Sequence, residues 1–349
     1  MTTSLLAMLA ETSISRCGNR CQAEAQAARA ELRSLTPPEA GVAHALCETS
    51  LSFSYMPASR QTHIYKVAGE CRIRADVHAC SSESAGPVLV WIHGGGLIMG
   101  GRADLPAWQR DAYLDAGYSV VAIDYRLAPE TKLPAITEDV EDACRWVRER
   151  FSTILRGGSQ RTAVIGHSAG GYLTLMAGLR IQPSPGALVS FYGYGDIVGP
   201  WYTRPDPFYR QQPLVSRQEA EQAVGSVSIS ETPESHNRDR FYLYCRQQGL
   251  WPKEVAGRDP EAEPEFFRHF CPLHNLTEQY PPTLLLHGDC DTDVPYEQSA
   301  LMAETLSRAG VENELVTIRN GEHGFDRQRD ATATAALNRV LAFLGAHLA

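Results

Sequence analysis

Residues 162–171 read Thr-Ala-Val-Ile-Gly-His-Ser-Ala-Gly-Gly, and this stretch decides the fold class. Its first half is an apolar run with the length of a buried strand, and the residues from Ala169 to Arg180 have the composition of a helix. Between the two lies the pattern G-x-S-x-G, with Ser168 at its centre. Small residues permit a sharp turn that lifts the serine hydroxyl above a sheet, and the N-terminus of the following helix favours developing negative charge. We therefore predict that Ser168 is a nucleophile.

Outward from this stretch, strand-like and helix-like segments alternate. The predicted strands are 64–67, 72–79, 87–92, 119–124, 162–166, 187–192, 283–287 and 314–318, and the predicted helices are 20–35, 102–116, 133–150, 169–180, 296–309 and 332–347. Buried strands that alternate with helices are typical of a mostly parallel sheet covered on both faces. The sequence thus predicts an α/β fold with a mostly parallel central sheet flanked by helices.

One interval breaks the alternation. Residues 197–281 hold 10 of the 21 prolines and 12 of the 29 aromatic residues, without a strand and helix repeat. Loops longer than about 12–15 residues are usually functional or disordered, and the aromatic content favours a lid packed over a pocket. The predicted organisation is a core formed by 61–196 and 282–349 and a cap or lid insertion formed by 197–281.

A glycine-rich turn follows the predicted strand 87–92. It reads His93-Gly94-Gly95-Gly96, 75 residues before Ser168. Glycines let backbone N–H groups approach a tetrahedral oxyanion, and the residue after the nucleophile, Ala169, adds one more N–H. The turn is therefore a candidate oxyanion loop.

A serine nucleophile needs a base and an acid that orients the base, and the expected chain order in this fold is serine, aspartate, histidine. His323 lies in the glycine-flanked loop 320–325 after a predicted strand, which makes it the candidate base. Asp289, Asp291 and Asp293 compete for the acid in His-Gly-Asp-Cys-Asp-Thr-Asp-Val-Pro, 287–295. The same three aspartates resemble the start of a calcium loop, but the required glycine and the bidentate ligand at position twelve are missing. No metal and no cofactor are expected.

Taken together, the motifs make the chain resemble the α/β-hydrolase superfamily and, within it, the hormone-sensitive-lipase-like carboxylesterases. The strongest marks are His93-Gly94-Gly95-Gly96, Asp-Tyr-Arg-Leu-Ala-Pro-Glu at 124–130, and Gly-His-Ser-Ala-Gly-Gly around Ser168. The resemblance runs from about residue 60 to the C-terminus without the insertion. The pattern Gly-His-Ser-Ala-Gly is also similar to that of kynurenine formamidases.

This resemblance implies roles for individual residues. The pattern H-G-x-x-D-x-x-V-P favours Asp291 as the acid, with Asp293 as the alternative and Asp289 as a brace for the loop. Gly95 and Gly96 would supply oxyanion N–H groups beside Ala169. The N-terminal helical segment 1–60 would join the cap, and relatives often form dimers, so a homodimer is an open prediction.

Other residues have weaker roles. Arg126 and Glu130 are expected to pair with each other and hold a neighbouring loop, without a catalytic part. Candidates for the substrate pocket are Leu97, Tyr192, Tyr194, Trp201 and Tyr202. Arg204 and Arg246 are candidates for binding a substrate carboxylate, although solvated surface arginines are commoner.

Composition limits the partners and the compartment. The formal net charge of −9 disfavours nucleic acid, and no apolar run reaches the roughly 20 residues of a membrane span. Nine scattered cysteines in a chain of 349 residues favour reduced thiols and a cytoplasmic protein. The apolar stretch 4–10 lacks the preceding basic residue of a signal peptide.

The sequence as a whole predicts a serine hydrolase that acts on a small-molecule ester. The acyl or alcohol part is expected to be small to medium and apolar or aromatic. Within enzymes the alternatives are an arylformamidase, a lactonase or a thioesterase with the same machinery, because the leaving group is not encoded in these motifs. A non-catalytic binder on the same scaffold is disfavoured, because such proteins generally lose a member of the triad.

Overall fold

The computed structural model describes residues 60–80, 86–154, 161–233 and 237–348, all within the compact unit Ala58–Ala349. The predicted helix 20–35 and the predicted cap segment 1–60 therefore lie almost wholly outside the described residues. No helix in the described part of the chain combines the length and the hydropathy that crossing a membrane requires.

Eight strands form a single sheet in the described residues. The strands are β1 (Arg60–Ala68), β2 (Cys71–His78), β3 (Val88–Ile92), β4 (Ser119–Ile123), β5 (Thr162–His167), β6 (Ala187–Phe191), β7 (Thr283–Gly288) and β8 (Asn313–Ile318). Their order across the sheet is β1-β2-β4-β3-β5-β6-β7-β8. Strand β2 pairs antiparallel with both of its neighbours, and every other pair is parallel. The predicted α/β fold with a mostly parallel sheet is confirmed.

The central strands are buried on both faces. Every residue of β3, β4, β6 and β7 is buried, and one apolar cluster lies on each side of the sheet. Burial on both faces is the reason that these strands read as continuous apolar runs rather than as alternating patterns. Because parallel strands end at the same edge, the loops after β3, β5, β7 and β8 come together there.

Helices cover the sheet. The long helices are α1 (Ala107–Asp115), α2 (Leu133–Ile154), α3 (Ala169–Arg180), α9 (Glu297–Arg308) and α10 (Ala331–Leu348). The prediction of one helix over 102–116 is wrong in part, because a short 3-10 turn, Arg102–Asp104, ends before Pro106 and α1 begins at Ala107. A proline restricts the residue before it to extended backbone and has no N–H to donate, so it separates the two segments.

The insertion between β6 and β7 consists of short helices. They are α4 (Pro200–Thr203), α5 (Arg217–Gln222), α6 (Asp239–Gln248), α7 (Trp251–Ala256) and α8 (Pro264–Arg268). Arg238, fully buried just before α6, donates to the carbonyls of Ile98 and Ala128 and pairs with Glu130. The insertion is thus attached to the loops that follow β3 and β4.

Two expectations from the sequence are corrected. Arg126 does not pair with Glu130; it makes a two-pronged ion pair with Asp139 of α2, whereas Glu130 belongs to Arg238. Arg126 and Glu130 therefore each hold a loop, but through different partners, Asp139 and Arg238. The expectation of reduced thiols fits Cys71, Cys80, Cys144, Cys245 and Cys271 and is wrong for Cys290, which is disulfide-bonded.

Candidate active site

Ser168 occupies a strained turn between β5 and α3. Its backbone has φ 56° and ψ −119°, and its N–H donates to the carbonyl of Phe191 at 2.8 Å. A non-glycine residue with positive φ persists only where its surroundings impose the conformation. The glycines of the motif allow this, since a Cβ on Gly166 would lie 2.0 Å from the Gly170 carbonyl oxygen and one on Gly170 2.2 Å from that of Ile92.

The structure brings Ser168, His323 and Asp291 into one hydrogen-bonded row. Nε2 of His323 lies 3.0 Å from Oγ of Ser168, and Nδ1 of His323 lies 2.7 Å from Oδ2 of Asp291. An ionised carboxylate only accepts hydrogen bonds, so Nδ1 carries the ring proton and Nε2 is left to accept the proton of the serine. Nucleophilic catalysis by a serine requires a hydroxyl, a base and a carboxylate in such a row.

The loop around Asp291 fixes its carboxylate. Oδ1 accepts the backbone N–H groups of Asp293 and Val294, at 2.8 and 2.9 Å. Nε2 of His287 lies 3.2 Å from Oδ2 of Asp291, while it also donates to the Val294 carbonyl. Burial raises the pKa of Asp291, but the hydrogen bonds from His287 and His323 lower it more, so the carboxyl stays ionised.

Asp293 lies on the other side of the imidazole. Its Oδ2 is 3.5 Å from Nε2 of His323, the nitrogen that faces Ser168. Asp291 and not Asp293 therefore accepts from Nδ1. Burial by itself lowers the pKa of His323. The charge of Asp293 and the hydrogen bond to Asp291 raise this pKa by more than burial lowers it, so the net shift is upward.

Asp289, the third aspartate, accepts the backbone N–H of Asn320 at 2.6 Å. This bond braces the loop against the segment that carries His323.

The glycine-rich turn after β3 lies beside Ser168. Gly95 and Gly96 both have positive φ, and a Cβ on Gly95 would lie 2.2 Å from the Met99 carbonyl oxygen. Among the described residues, no group accepts a hydrogen bond from the N–H groups of Gly95, Gly96 or Ala169. These three N–H groups could therefore donate to a bound ligand. Nε1 of Trp251 in the insertion donates to the Gly96 carbonyl at 2.8 Å.

His93, which opens this turn, is a brace. Its ring stacks on Tyr125 with 4.1 Å between the ring centroids, and its Nδ1 bonds the carbonyl of Gly94 at 2.8 Å. Burial lowers the pKa of His93 to about 4, so the ring is neutral at physiological pH.

A pocket of about 800 Å³ opens above Ser168 and His323. Its apolar walls include Trp91, Met99, Leu105, Pro106 and Tyr242, and its polar walls include Asp104, Thr232, Asp239, Asp293 and Arg327. Of the five residues proposed for the pocket from the sequence, Tyr192 lines it. Leu97, Tyr194 and Tyr202 are buried in the apolar cluster on one side of the sheet, and Trp201 packs against that cluster.

A second buried network ties the histidine loop to the nucleophile turn, and sequence reasoning missed it. Nε2 of His167 lies 2.8 Å from Oδ2 of Asp326, whose carboxylate also accepts from Tyr192 and Gln109. Burial raises the pKa of Asp326, but these partners lower it to about 2. His167 directly precedes Ser168 and Asp326 follows His323 by three residues, so the closeness of each to a predicted catalytic residue was the available signal.

Arg246 is also placed differently from its prediction. It is buried, pairs with Asp206 and Asp293, and lies over the rings of Tyr202 and Tyr209 at 4.9 and 4.7 Å. It does not line the pocket. The expectation of a solvated arginine, or of one that binds a substrate carboxylate directly, is wrong.

Comparisons with known proteins agree with this architecture. The family model described as alpha/beta hydrolase fold matches residues 89–327. The non-reducing polyketide synthase ausA of Aspergillus calidoustus is 27% identical over 352 residues, and the match covers 84% of this chain and 14% of that protein. Atr1 of Stereocaulon alpinum, also a non-reducing polyketide synthase, is 27% identical, with 84% and 13% covered. The chain thus spans about one seventh of the length of these curated relatives.

Two bacterial proteins are among the solved structures with a similar fold. A protein of unknown function from Staphylococcus aureus has a TM-score of 0.67 at 24% identity, covering 83% of this chain and 100% of that one. The apo form of esterase 2 from Thermogutta terrifontis has a TM-score of 0.59 at 20% identity, covering 84% and 97%. At these identities the similarity shows the fold alone.

Proposed function

Since the chain belongs to the alpha/beta hydrolase fold family, we propose that it is a serine hydrolase that cleaves carboxylic esters through an acyl-enzyme. The observation that carries this proposal is the hydrogen-bonded row Ser168–His323–Asp291 at the base of an open pocket. Its geometry matches what nucleophilic catalysis requires, which is a hydroxyl within reach of a base whose tautomer is fixed by a carboxylate.

In the acylation step Oγ of Ser168 attacks the ester carbonyl carbon, and Nε2 of His323 takes the hydroxyl proton. The carbonyl π bond breaks, and its electron pair moves to the oxygen. The N–H groups of Gly95, Gly96 and Ala169 then bind that oxyanion, and each such donor lowers the barrier by about 3 kcal/mol. Asp291 stabilises the imidazolium without taking its proton.

When the tetrahedral intermediate collapses, the bond between the carbonyl carbon and the alcohol oxygen breaks, and Nε2 of His323 returns its proton to that oxygen. Water then enters on the same side, gives a proton to Nε2 and attacks the acyl carbon. When this second tetrahedral intermediate collapses, the bond between the acyl carbon and Oγ breaks, and Nε2 returns its proton to Oγ, which releases the acid and restores the serine. Neither a metal nor a cofactor takes part in these steps.

The pocket favours a small to medium substrate. Its volume of about 800 Å³ lies within the usual range of ligand sites. Trp91, Met99, Leu105 and Pro106 offer an apolar wall for an alkyl or aromatic group.

A second candidate function is hydrolysis of a thioester or of a lactone by the same residues. The observation that favours it is the match to a part of proteins named non-reducing polyketide synthases. The same triad and oxyanion donors serve a thioester, because the attacked carbonyl is the same and only the leaving atom differs.

The test is hydrolysis of p-nitrophenyl esters from acetate to decanoate by the wild type, Ser168→Ala and the control Ser307→Ala. Ser307 is exposed and does not line the pocket. We expect turnover in the wild type and in the control, and a loss of about 10⁴-fold or more without the Ser168 hydroxyl. An S-acyl N-acetylcysteamine of the preferred chain length, assayed in parallel, separates the thioester candidate. Equal activity in Ser168→Ala, or no turnover by the folded wild type, would contradict the proposal.

A further inference from the structure

Asp293 presents a fixed carboxylate to the pocket immediately beside the base. Its Oδ1 accepts the Tyr242 hydroxyl at 2.6 Å and the guanidinium of Arg246. Its Oδ2 faces His323 Nε2 at 3.5 Å, and Asp293 forms part of the pocket wall. A carboxylate oxygen has two lone pairs, so Oδ2 has capacity to accept from a ligand.

The surroundings hold this carboxylate in place and in its charged form. Arg246 is itself fixed by Asp206 and by the aromatic rings that surround it. Burial raises the pKa of Asp293, but the charges of His323 and Arg246 lower it more, so the group is ionised. An acceptor already held in position loses little entropy when it binds a donor.

The position of Oδ2 determines which part of a substrate it meets. Nε2 of His323 faces Ser168 and, in the reaction proposed above, returns the proton to the leaving alcohol. Oδ2 therefore lies on the alcohol side of the scissile bond. In a staggered 1,2-diol monoester the free hydroxyl lies about 3 Å from the ester oxygen when the torsion is gauche. When the ester oxygen accepts the hydrogen bond from Nε2 of His323, the vicinal hydroxyl is within hydrogen-bond reach of Oδ2.

We propose that Asp293 is a specificity-determining residue that accepts a hydrogen bond from a hydroxyl vicinal to the ester oxygen, so that the preferred substrates are monoesters of 1,2-diols. This inference rests on the proposed ester hydrolysis and narrows its substrate class. A substrate with an ether or alkyl group at that point leaves Oδ2 of this ionised, desolvated carboxylate without a donor from the substrate, which is costly. An anionic group there is repelled.

The experiment compares 2-hydroxyethyl butyrate with 2-methoxyethyl butyrate by pH-stat titration. The two alcohols have similar leaving tendencies, so the ratio of kcat/KM values reports the hydroxyl contact. We expect the wild type to prefer the hydroxyethyl ester by about 10- to 100-fold, the range for a hydrogen bond to a charged group. The measurement on the wild type requires no variant to fold.

Two aspartate-to-asparagine variants test whether the hydroxyl contact is made by Asp293. Asp293→Asn is expected to lower the preference about tenfold or more, and any effect of the lost charge on His323 cancels in the ratio. Asp115→Asn alters an exposed aspartate outside the pocket and should keep the wild-type ratio. Equal rates for the two esters in the wild type, or a full preference in Asp293→Asn, would overturn the inference while leaving ester hydrolysis intact. If Ser168-dependent hydrolysis of every ester is absent, the proposed function fails and this inference fails with it.

Discussion

Replacing Asp291 by asparagine tests the electrostatics of the site. Oδ1 of Asp291 accepts two backbone N–H groups, from Asp293 and Val294. In Asp291→Asn only the amide oxygen can accept those two bonds, so the NH2 group must face Nδ1 of His323, 2.7 Å away in the wild type. Nδ1 then becomes the acceptor and Nε2 carries the proton. A protonated Nε2 cannot take the proton of Ser168, although the shape of the site is preserved.

The expected loss follows from this change of tautomer. A base held in the wrong tautomer costs about 10⁴-fold in kcat, which corresponds to about 5 kcal/mol of barrier. The assay is kcat and KM on p-nitrophenyl butyrate, with circular dichroism and a urea midpoint to show that the fold is intact. Asp293→Asn is the matched control, and we expect it to lose about tenfold at most, because it makes no bond to Nδ1. If kcat falls by less than tenfold in Asp291→Asn, or by more in Asp293→Asn than in Asp291→Asn, this reasoning is refuted.

Three further outcomes are expected. The value of kcat/KM should rise with pH through a pKa above the ordinary histidine value of about 6.5, because neighbouring carboxylates favour the protonated form of His323 and only the neutral ring accepts a proton. In Asp293→Asn this rise should move to lower pH. Gly170→Ala should lower the free energy of unfolding, measured in urea, by about 3 kcal/mol or more, because the new Cβ would lie 2.2 Å from a backbone oxygen. Gly345→Ala, whose Cβ would have no atom within 4 Å, should raise it by about 0.5–1 kcal/mol. Arg238→Met should cost about 3–5 kcal/mol by leaving a buried carboxylate unpaired, and a loss below 1 kcal/mol would contradict this.

Most of the fold could be predicted because its signals are local. The strands β3 to β7 are apolar runs of five or six residues, and burial on both faces produces that pattern directly. The insertion could be recognised only as an interval in which strands and helices do not alternate. Its short helices are held by contacts such as Arg238 with Ile98, which join residues 140 positions apart and have no local pattern.

The candidate site divides in the same way. Ser168 and His323 follow from the order of motifs along the chain, and the glycine-rich turn follows from its run of glycines after a predicted strand. The pairing of His167 with Asp326 and the enclosure of Arg246 by aromatic rings depend on how side chains meet in three dimensions. The choice between Asp291 and Asp293 needed the geometry, since both carboxylates lie within 3.5 Å of the imidazole, one at each nitrogen.

The central claim, that Ser168 is the activated nucleophile, is tested most directly by covalent labelling. Wild type and Ser168→Ala are incubated with a fluorophosphonate probe, and the intact mass and the labelled peptide are measured. We predict one adduct per chain in the wild type, on the peptide that contains Ser168, and none in the variant. An adduct on a different residue, equal labelling of both proteins, or a folded wild type that takes no label would contradict the claim.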